Sequence, residues 1–393
     1  MPTKADRKHL DATVSAFHSH YASDANWGTQ RWHESLYPAL ARPTRYSALV
    51  NQYVPRVGLD KNLFSTVPED ELRQIQLPKL PTEADHTATV TTRPGILLYE
   101  RVQPTTTIET EEEEEESFLF TAPQPVPSPS SPEKELLSHW NMDAASALCA
   151  HMLNVQPNDK VLDLCAAPGG KSVALAQLIF PHLHADPRSS SPSSLGCLHS
   201  NELDHARNKR LSSNLRSYLP APLFETNAVR VLLLDGSDAR AVTQLPCGPG
   251  GYDRVLLDAP CSSERHIIHA HLKASSGGRI ADEMARWRRG GSKTLSRLQA
   301  DLLMTALRAV RTGGRVVYST CSIETGENDG VVEKMLTAPG GASDEEEQEE
   351  VDGALEMLTE ETKYGRIAVP DHKAGGQWGP LYLCVITKVA RKV

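Results

Sequence analysis

Two cysteines stand in matching settings. In YDRVLLDAPCSSERH (252–266) an apolar run of strand character ends and Cys261 follows; in GRVVYSTCSIETGEN (314–328) the same layout leads to Cys321. A thiol becomes a strong nucleophile once it loses its proton. Consecutive strands of an open sheet are commonly neighbours, so both thiols are expected in one cleft. One chemistry that needs such a pair is methylation at C5 of a pyrimidine. That carbon is a poor nucleophile until a thiolate adds at C6 and turns the ring into an enamine. An acid near ring N3 must stabilise the charge that develops, and Asp258, closing the first of the two strands, is the candidate. A base then removes the C5 proton and the thiol departs. Two thiols can divide attack from release, and the residue types leave open which does which.

Upstream, DLCAAPGGKS follows the apolar segment at 160–165. In open α/β sheets, ligands bind beyond the carboxyl ends of strands at the switch in strand order. Gly169 and Gly170 would let backbone approach a ligand where a side chain would clash. The spacing fits neither G-x-G-x-x-G nor the phosphate-cradling loop that ends in Gly-Lys-Ser/Thr. Glu202 closes the next apolar segment, where an acid can accept both hydroxyls of a ribose. Asp235 closes the one after, placed for an adenine amino group, and Asp258 the fourth. Acids following strands often serve as helix caps. Three in order beside a glycine turn point instead to a nucleoside-bearing methyl donor, S-adenosylmethionine.

Arg279, Arg286, Arg288, Arg289, Lys293 and Arg297 cluster around Trp287, between the two cysteine motifs. Such a patch can neutralise phosphates and give salt-dependent binding, with the tryptophan stacking on an unpaired base. A solvated basic helix carrying a half-buried tryptophan is the blander alternative. A base inside a duplex cannot reach such a cleft, so the target must be single-stranded or flipped out.

The elements that would position these residues repeat with regularity from Pro132 onward. Helix is expected over 133–154, strands over 160–165, 197–202, 229–235, 253–258 and 315–320, and helices over 172–180, 203–218, 294–311 and 328–336. The glycines of TGG (312–314) are expected to cap the helix before them. RIAVPD and LYLCVITKV add late strands. Near-continuous apolar strands alternating with helices imply an α/β fold, a doubly wound and mostly parallel Rossmann-like sheet covered on both faces. Residues 1–65 are largely helical in pattern and rich in aromatics and arginines. The division expected is an N-terminal RNA- or partner-binding region at 1–103, an acidic and Pro/Ser-rich linker at 104–132, and a methyltransferase domain at 133–393.

The totals set bounds. The 393 residues carry a net charge of −9, but Glu109 with Glu111–Glu116 and the seven acids between Asp344 and Asp352 supply fourteen negatives. Without them the remainder is +5, a basic body with two solvated acidic runs. The seven cysteines form no C-x-x-C pair, so no metal site is expected, and their odd count and wide spacing suggest a reduced compartment. No apolar run approaches the roughly 18 residues of a membrane span. The N-terminal stretch resembles neither a secretory signal nor a good transit peptide.

Taken together, VLDLCAAPGGKS, SNELDHAR, LLLDG, LDAPCSSERH and VVYSTCSIETGENDGVV resemble the successive motifs of the Sun-domain (NSUN-type) RNA cytosine-5 methyltransferases. The resemblance covers roughly residues 138–393. It implies that Cys321 is the nucleophile and that Cys261 helps release. It also implies cofactor contacts from Cys165, Ala166, Ala167, Pro168, Gly169, Gly170 and Lys171, and from Glu202, Arg207, Asp235 and Asp258. Many members have a glycine soon after the first cysteine, where this chain has Ser262-Ser263-Glu264-Arg265-His266. That variant, with NMDAAS and YSALVNQY, is most similar to the mitochondrial ribosomal-RNA branch, which implies a mitochondrial location and rRNA, or else tRNA, as the partner. A protein partner could guide the chain to its RNA. Ser172 and Asp329 depart from the threonine and glutamate usual at their places. The alternative is an RNA-binding assembly factor that keeps the fold with little turnover.

Overall fold

The computed structural model describes residues 3–80, 95–102, 120–129, 131–185, 196–337, 353–373 and 377–389. Both acidic runs and most of the Pro/Ser insertion at 187–196 lie outside the described residues.

Five strands run parallel: β7 (Lys160–Asp163), β8 (Cys197–Asn201), β9 (Val229–Leu232), β10 (Tyr252–Asp258) and β11 (Val310–Thr320). Their order across the sheet is β11-β10-β7-β8-β9, so the direction of winding reverses between β7 and β10. The α/β, doubly wound fold expected from the alternating pattern is the fold observed. Beyond β11 the sheet continues antiparallel through β14 (Leu381–Thr387), β13 (Arg366–Ala368) and β12 (Glu360–Glu361). β10 and β11 pair in register up to Asp258 opposite Ser319. That pairing brings the two cysteine loops together.

A second, antiparallel sheet is built from β1 (Tyr46–Val50), β2 (Leu72–Gln74), β3 (Leu98–Arg101) and β6 (His139–Asp143), in the order β2-β3-β1-β6. Between them β4 (Pro125–Ser128) and β5 (Ser131–Leu137) form a hairpin. This corrects the helix expected over 133–154. Helix occupies only α2 (Ala144–Met152), which begins where the Asp143 carboxylate accepts the Ala145 N–H at 2.8 Å. Upstream, five residue pairs with β1 decide the backbone, and a partner strand outweighs weak local propensity. β6 therefore lies beyond the boundary expected at 132/133 yet belongs to the N-terminal sheet.

Layers cover both faces of the central sheet. On one side α2, α3 (Gly170–Ile179) and α4 (His205–Tyr218) share a core with the N-terminal sheet, through Leu49, Tyr53, Leu148, Leu175, Leu211 and Leu215. On the other, α1 (Lys4–Ala22) joins α5 (Glu264–Ser276), α6 (Asp282–Arg286), α7 (Ser292–Ala309) and α8 (Asp329–Thr337) around Phe17, Trp32, Ile268 and Leu303. The glycines after α7 do not cap it. Val310 already begins β11, and Gly313, at φ +73°, lies in an irregularity of register between Tyr252 and Arg254. A Cβ on Gly314 would come within 2.7 Å of the Asp253 carbonyl, so glycine here admits the neighbouring backbone.

Candidate active site

The two thiols meet as their strand ends required. Cys261 Sγ lies 3.2 Å from Cys321 Sγ, and both are free thiols. Ser263 Oγ sits between them, 2.9 Å from Cys321 and 3.3 Å from Cys261. The environments split the pair. The Cys261 S–H, helped by the Ser263 hydroxyl, donates toward Cys321 and lowers its pKa against the effect of burial. Donation of that proton, together with burial, pushes the Cys261 thiol well up. Cys321 is thus the more readily ionised of the pair, and it is also the more exposed of the two.

Ser263 holds its hydroxyl there at a cost. Its φ is +54°, in the left-handed region, which glycine adopts freely and a residue with a Cβ enters at roughly 1–2 kcal/mol. This is the stretch in which the sequence carries serines and a glutamate. The hydroxyl between the thiols is a physical reason for serine at this position.

The two cysteine loops are joined by one buried carboxylate. Glu264 accepts from Ser262 Oγ, from Ser322 Oγ at 3.2 Å, from the Ile323 N–H at 2.9 Å and from Tyr21 Oη at 3.0 Å. Around it, α1 and the turn that follows it grip the segment after Cys321. His20 pairs with Glu324 at 2.7 Å, the Trp27 indole donates to the Ile323 carbonyl at 3.1 Å and Asn26 donates to Thr325 at 2.8 Å. Sequence reasoning missed Ser263, Glu264 and this brace. The only signal was the run SSERH itself, whose partners lie some 60 and 240 residues away in the chain.

Asp258 closes β10 at the switch point. Its Oδ2 pairs with Lys171 Nζ at 2.7 Å and its Oδ1 accepts from Ser319 at 3.0 Å. Burial alone would lower the Lys171 pKa, but Asp258 beside it holds it above the usual range. Lys171 thus faces Asp258, and it also donates to Ser146 at 3.1 Å.

The segment Cys165–Lys171 turns into α3 through Gly169, at φ +118°. Leu211 and Leu215 of α4 lie 3.2 and 3.4 Å from where its Cβ would be, and Trp140 backs Gly170. At the end of β8, Asn201 ties three strand ends together: it donates to the carbonyls of Leu164 and Leu234 and accepts from the Leu234 N–H. Glu202 is buried, holds the Asp204 N–H at 2.9 Å and lies 3.3 Å from Arg207, which also donates to the Ala167 carbonyl. Asp235 is exposed and accepts from Ser237 through both its N–H and its hydroxyl. Asp163, which sequence reasoning passed over, is fully buried. Its Oδ2 accepts from Ser172 at 2.7 Å, while its Oδ1 is buried with no partner among the described residues. Burial pushes its pKa up to about 7. An orphaned acceptor, a glycine turn, and acids at the ends of β8, β9 and β10 are a donor and acceptor set that fits S-adenosylmethionine.

Both departures from the expected residue types are accommodated. The Ser172 hydroxyl bridges Asp163 and Ser200. Asp329 accepts from Thr362, Tyr364 N–H and Tyr382 through one oxygen and from Lys363 N–H through the other. Of the basic cluster, Trp287 is half-buried, edge-on to Phe17 with ring centroids 5.3 Å apart. Arg286, Arg288 and Arg289 are exposed beside it, and Lys293 follows on the first turn of α7. Arg286 pairs with Asp282, and Arg288 donates to nearby carbonyls.

Comparison with known proteins adds a family and a fold. The family described as "16S rRNA methyltransferase RsmB/F" matches residues 150–374. The mitochondrial tRNA (cytosine(34)-C(5))-methyltransferase of Danio rerio is 37% identical over 258 residues, covering 65% of this chain and 62% of that protein. The 5-cytosine rRNA methyltransferase NSUN4 of Bos taurus is 33% identical over 270 residues, covering 65% and 60%. The chain therefore spans less than two thirds of the length of these relatives. Among solved structures, NSun6 from Pyrococcus horikoshii with SFG superposes with a TM-score of 0.53 at 15% identity, covering 95% of this chain and 98% of that one.

Proposed function

The chain belongs to the 16S rRNA methyltransferase RsmB/F family, and from that premise we propose that it is an S-adenosylmethionine-dependent RNA cytosine-5 methyltransferase acting through a cysteine adduct. The observation that carries the reading is the thiol pair 3.2 Å apart in the loops that follow β10 and β11, the first of which ends in Asp258. Cys165–Lys171, Glu202, Arg207, Asp235 and Asp258 would hold the cofactor, whose sulfonium supplies an electrophilic methyl group.

Cys321 Sγ attacks C6 of the cytosine, forming an S–C6 bond. The electron pair of the C5–C6 double bond moves toward C5 and N3; in this scheme the negative charge at N3 is met by a proton held between Asp258 and its Lys171 partner, which returns to them when the ring double bond re-forms. C5 then takes up the methyl group and a base removes its proton. The S–C6 bond breaks, the ring regains its double bond, and Cys321 leaves as thiolate. Cys261, held as a thiol against that sulfur, assists the departure. Its S–H bond to Cys321 stabilises the leaving thiolate.

The relatives named for rRNA and for mitochondrial tRNA support a structured mitochondrial RNA, with rRNA the substrate proposed here, and the exposed arginines around Trp287 are the proposed RNA contact. Trapping tests the scheme. With RNA and S-adenosylmethionine, Cys261→Ala should accumulate a covalent protein–RNA adduct on denaturing gels. Cys321→Ala should abolish both methylation and adduct. Adducts from the Cys321 variant would reverse the roles, and RNA binding without methyl transfer by the parent protein would favour an assembly factor.

A further inference from the structure

A pocket of about 250 Å³ opens beside Ser262, next to the thiol loop. His20, Tyr21 and Trp287 give it aromatic walls beside the aliphatic Ile267 and Leu295; Arg286 and Arg288 border it; and Glu324 and Glu327 line it. Glu327 is fully buried, and its Oε2 accepts from the Ser262 N–H at 3.0 Å and from Gln299 at 2.9 Å. Its Oε1 is buried with no hydrogen-bond partner among the described residues. A buried carboxylate oxygen without a donor is costly, so its place at the edge of a cavity points to a donor brought by an occupant.

The lining restricts what that occupant is. A carboxylic acid would meet two glutamates, and a small cation would meet the arginines. A ring that stacks on the aromatics, offers N–H groups inward and carries a phosphate outward satisfies every side. The volume lies below the roughly 300–1,000 Å³ of drug-sized sites, in keeping with a single base. Guanine alone among the RNA bases presents two adjacent donors, N1–H and the 2-amino group, on one edge. We propose that this pocket is a subsite for a guanine nucleotide of the substrate strand beside the target cytosine, a reading that rests on the RNA methyltransferase function above. Glu327 also fixes the backbone of Ser262, adjacent to Cys261, so a base seated here is linked directly to the placement of the thiol loop.

Mononucleotides test this without methyl transfer. Guanosine monophosphate should bind the full chain and quench Trp287 fluorescence, with that component of the quenching absent in Trp287→Phe. Inosine monophosphate, which lacks the 2-amino group, should bind about tenfold more weakly, and adenosine monophosphate at least as weakly. Glu327→Gln should narrow the guanosine–inosine difference. Equal affinity for the three nucleotides, or quenching unchanged in Trp287→Phe, would overturn the subsite. Methyl transfer to RNA in the same preparation separates the two readings: transfer without guanine selectivity overturns the subsite alone. Guanine selectivity without transfer upholds the pocket and overturns the enzyme.

Discussion

Ser263 shows how much of this site turns on single groups. A glycine would relax its left-handed backbone but would remove the hydroxyl that touches both sulfurs. A thiol with a lowered pKa carries more thiolate at a given pH. Alkylation of Cys321 by iodoacetamide, followed by peptide mass spectrometry, should therefore rise with pH through a midpoint below the ordinary thiol value of 9.0. Ser263→Gly should move that midpoint upward, because the thiolate loses a donor, while leaving the fold intact. A midpoint unchanged in the variant would assign the lowering to Cys261 alone. At this scale the sequence put Cys261, Cys321 and Asp258 at strand ends, because strand-end position is readable from an apolar run. It did not disclose Ser263 or Glu264, whose roles depend on partners distant in the chain.

At the scale of elements, α1 is a brace for the loop that follows Cys321. The aromatic and arginine content of residues 1–65 suggested a surface for RNA or a partner. Within this region, Phe17, Tyr21 and Trp32 are buried in the core shared with β10 and β11, and Tyr21 reaches the carboxylate that joins both cysteine loops. Tyr21→Phe keeps the ring and deletes the donor to buried Glu264. It should cost about 1–3 kcal/mol in urea unfolding and slow formation of the trapped adduct. A variant with wild-type adduct kinetics would show that α1 only covers the sheet. The strands at 131–143 carry the complementary lesson. Their local pattern suits helix, and only the partners at 46–50 and 125–128 convert them to sheet.

For the whole molecule, charge is segregated along the chain. The described body carries the arginines around Trp287, while the two acidic runs would repel RNA. Replacing Arg286, Arg288 and Arg289 with alanine should weaken RNA binding and flatten its salt dependence by up to about three units of slope, fewer on single strands. Filter binding across a salt series reads this directly. A parental slope in the triple variant would leave these arginines as a solvated face and move the RNA path elsewhere.

The sequence by itself determined the succession of parallel strands and helices along the chain from 160 to 336, the strand ends that carry Cys261, Cys321, Glu202, Asp235 and Asp258, and the glycine turn at Gly169. These are local patterns: apolar runs, their lengths, and the residues that end them. Tertiary structure alone decided the 3.2 Å meeting of the thiols, the pairing of Lys171 with Asp258, the orphaned oxygens of Asp163 and Glu327, and the seat of α1 against the loop that follows Cys321. Each of these depends on groups that burial forces to find partners across the fold, and no periodicity along the chain encodes which distant side chain will be there.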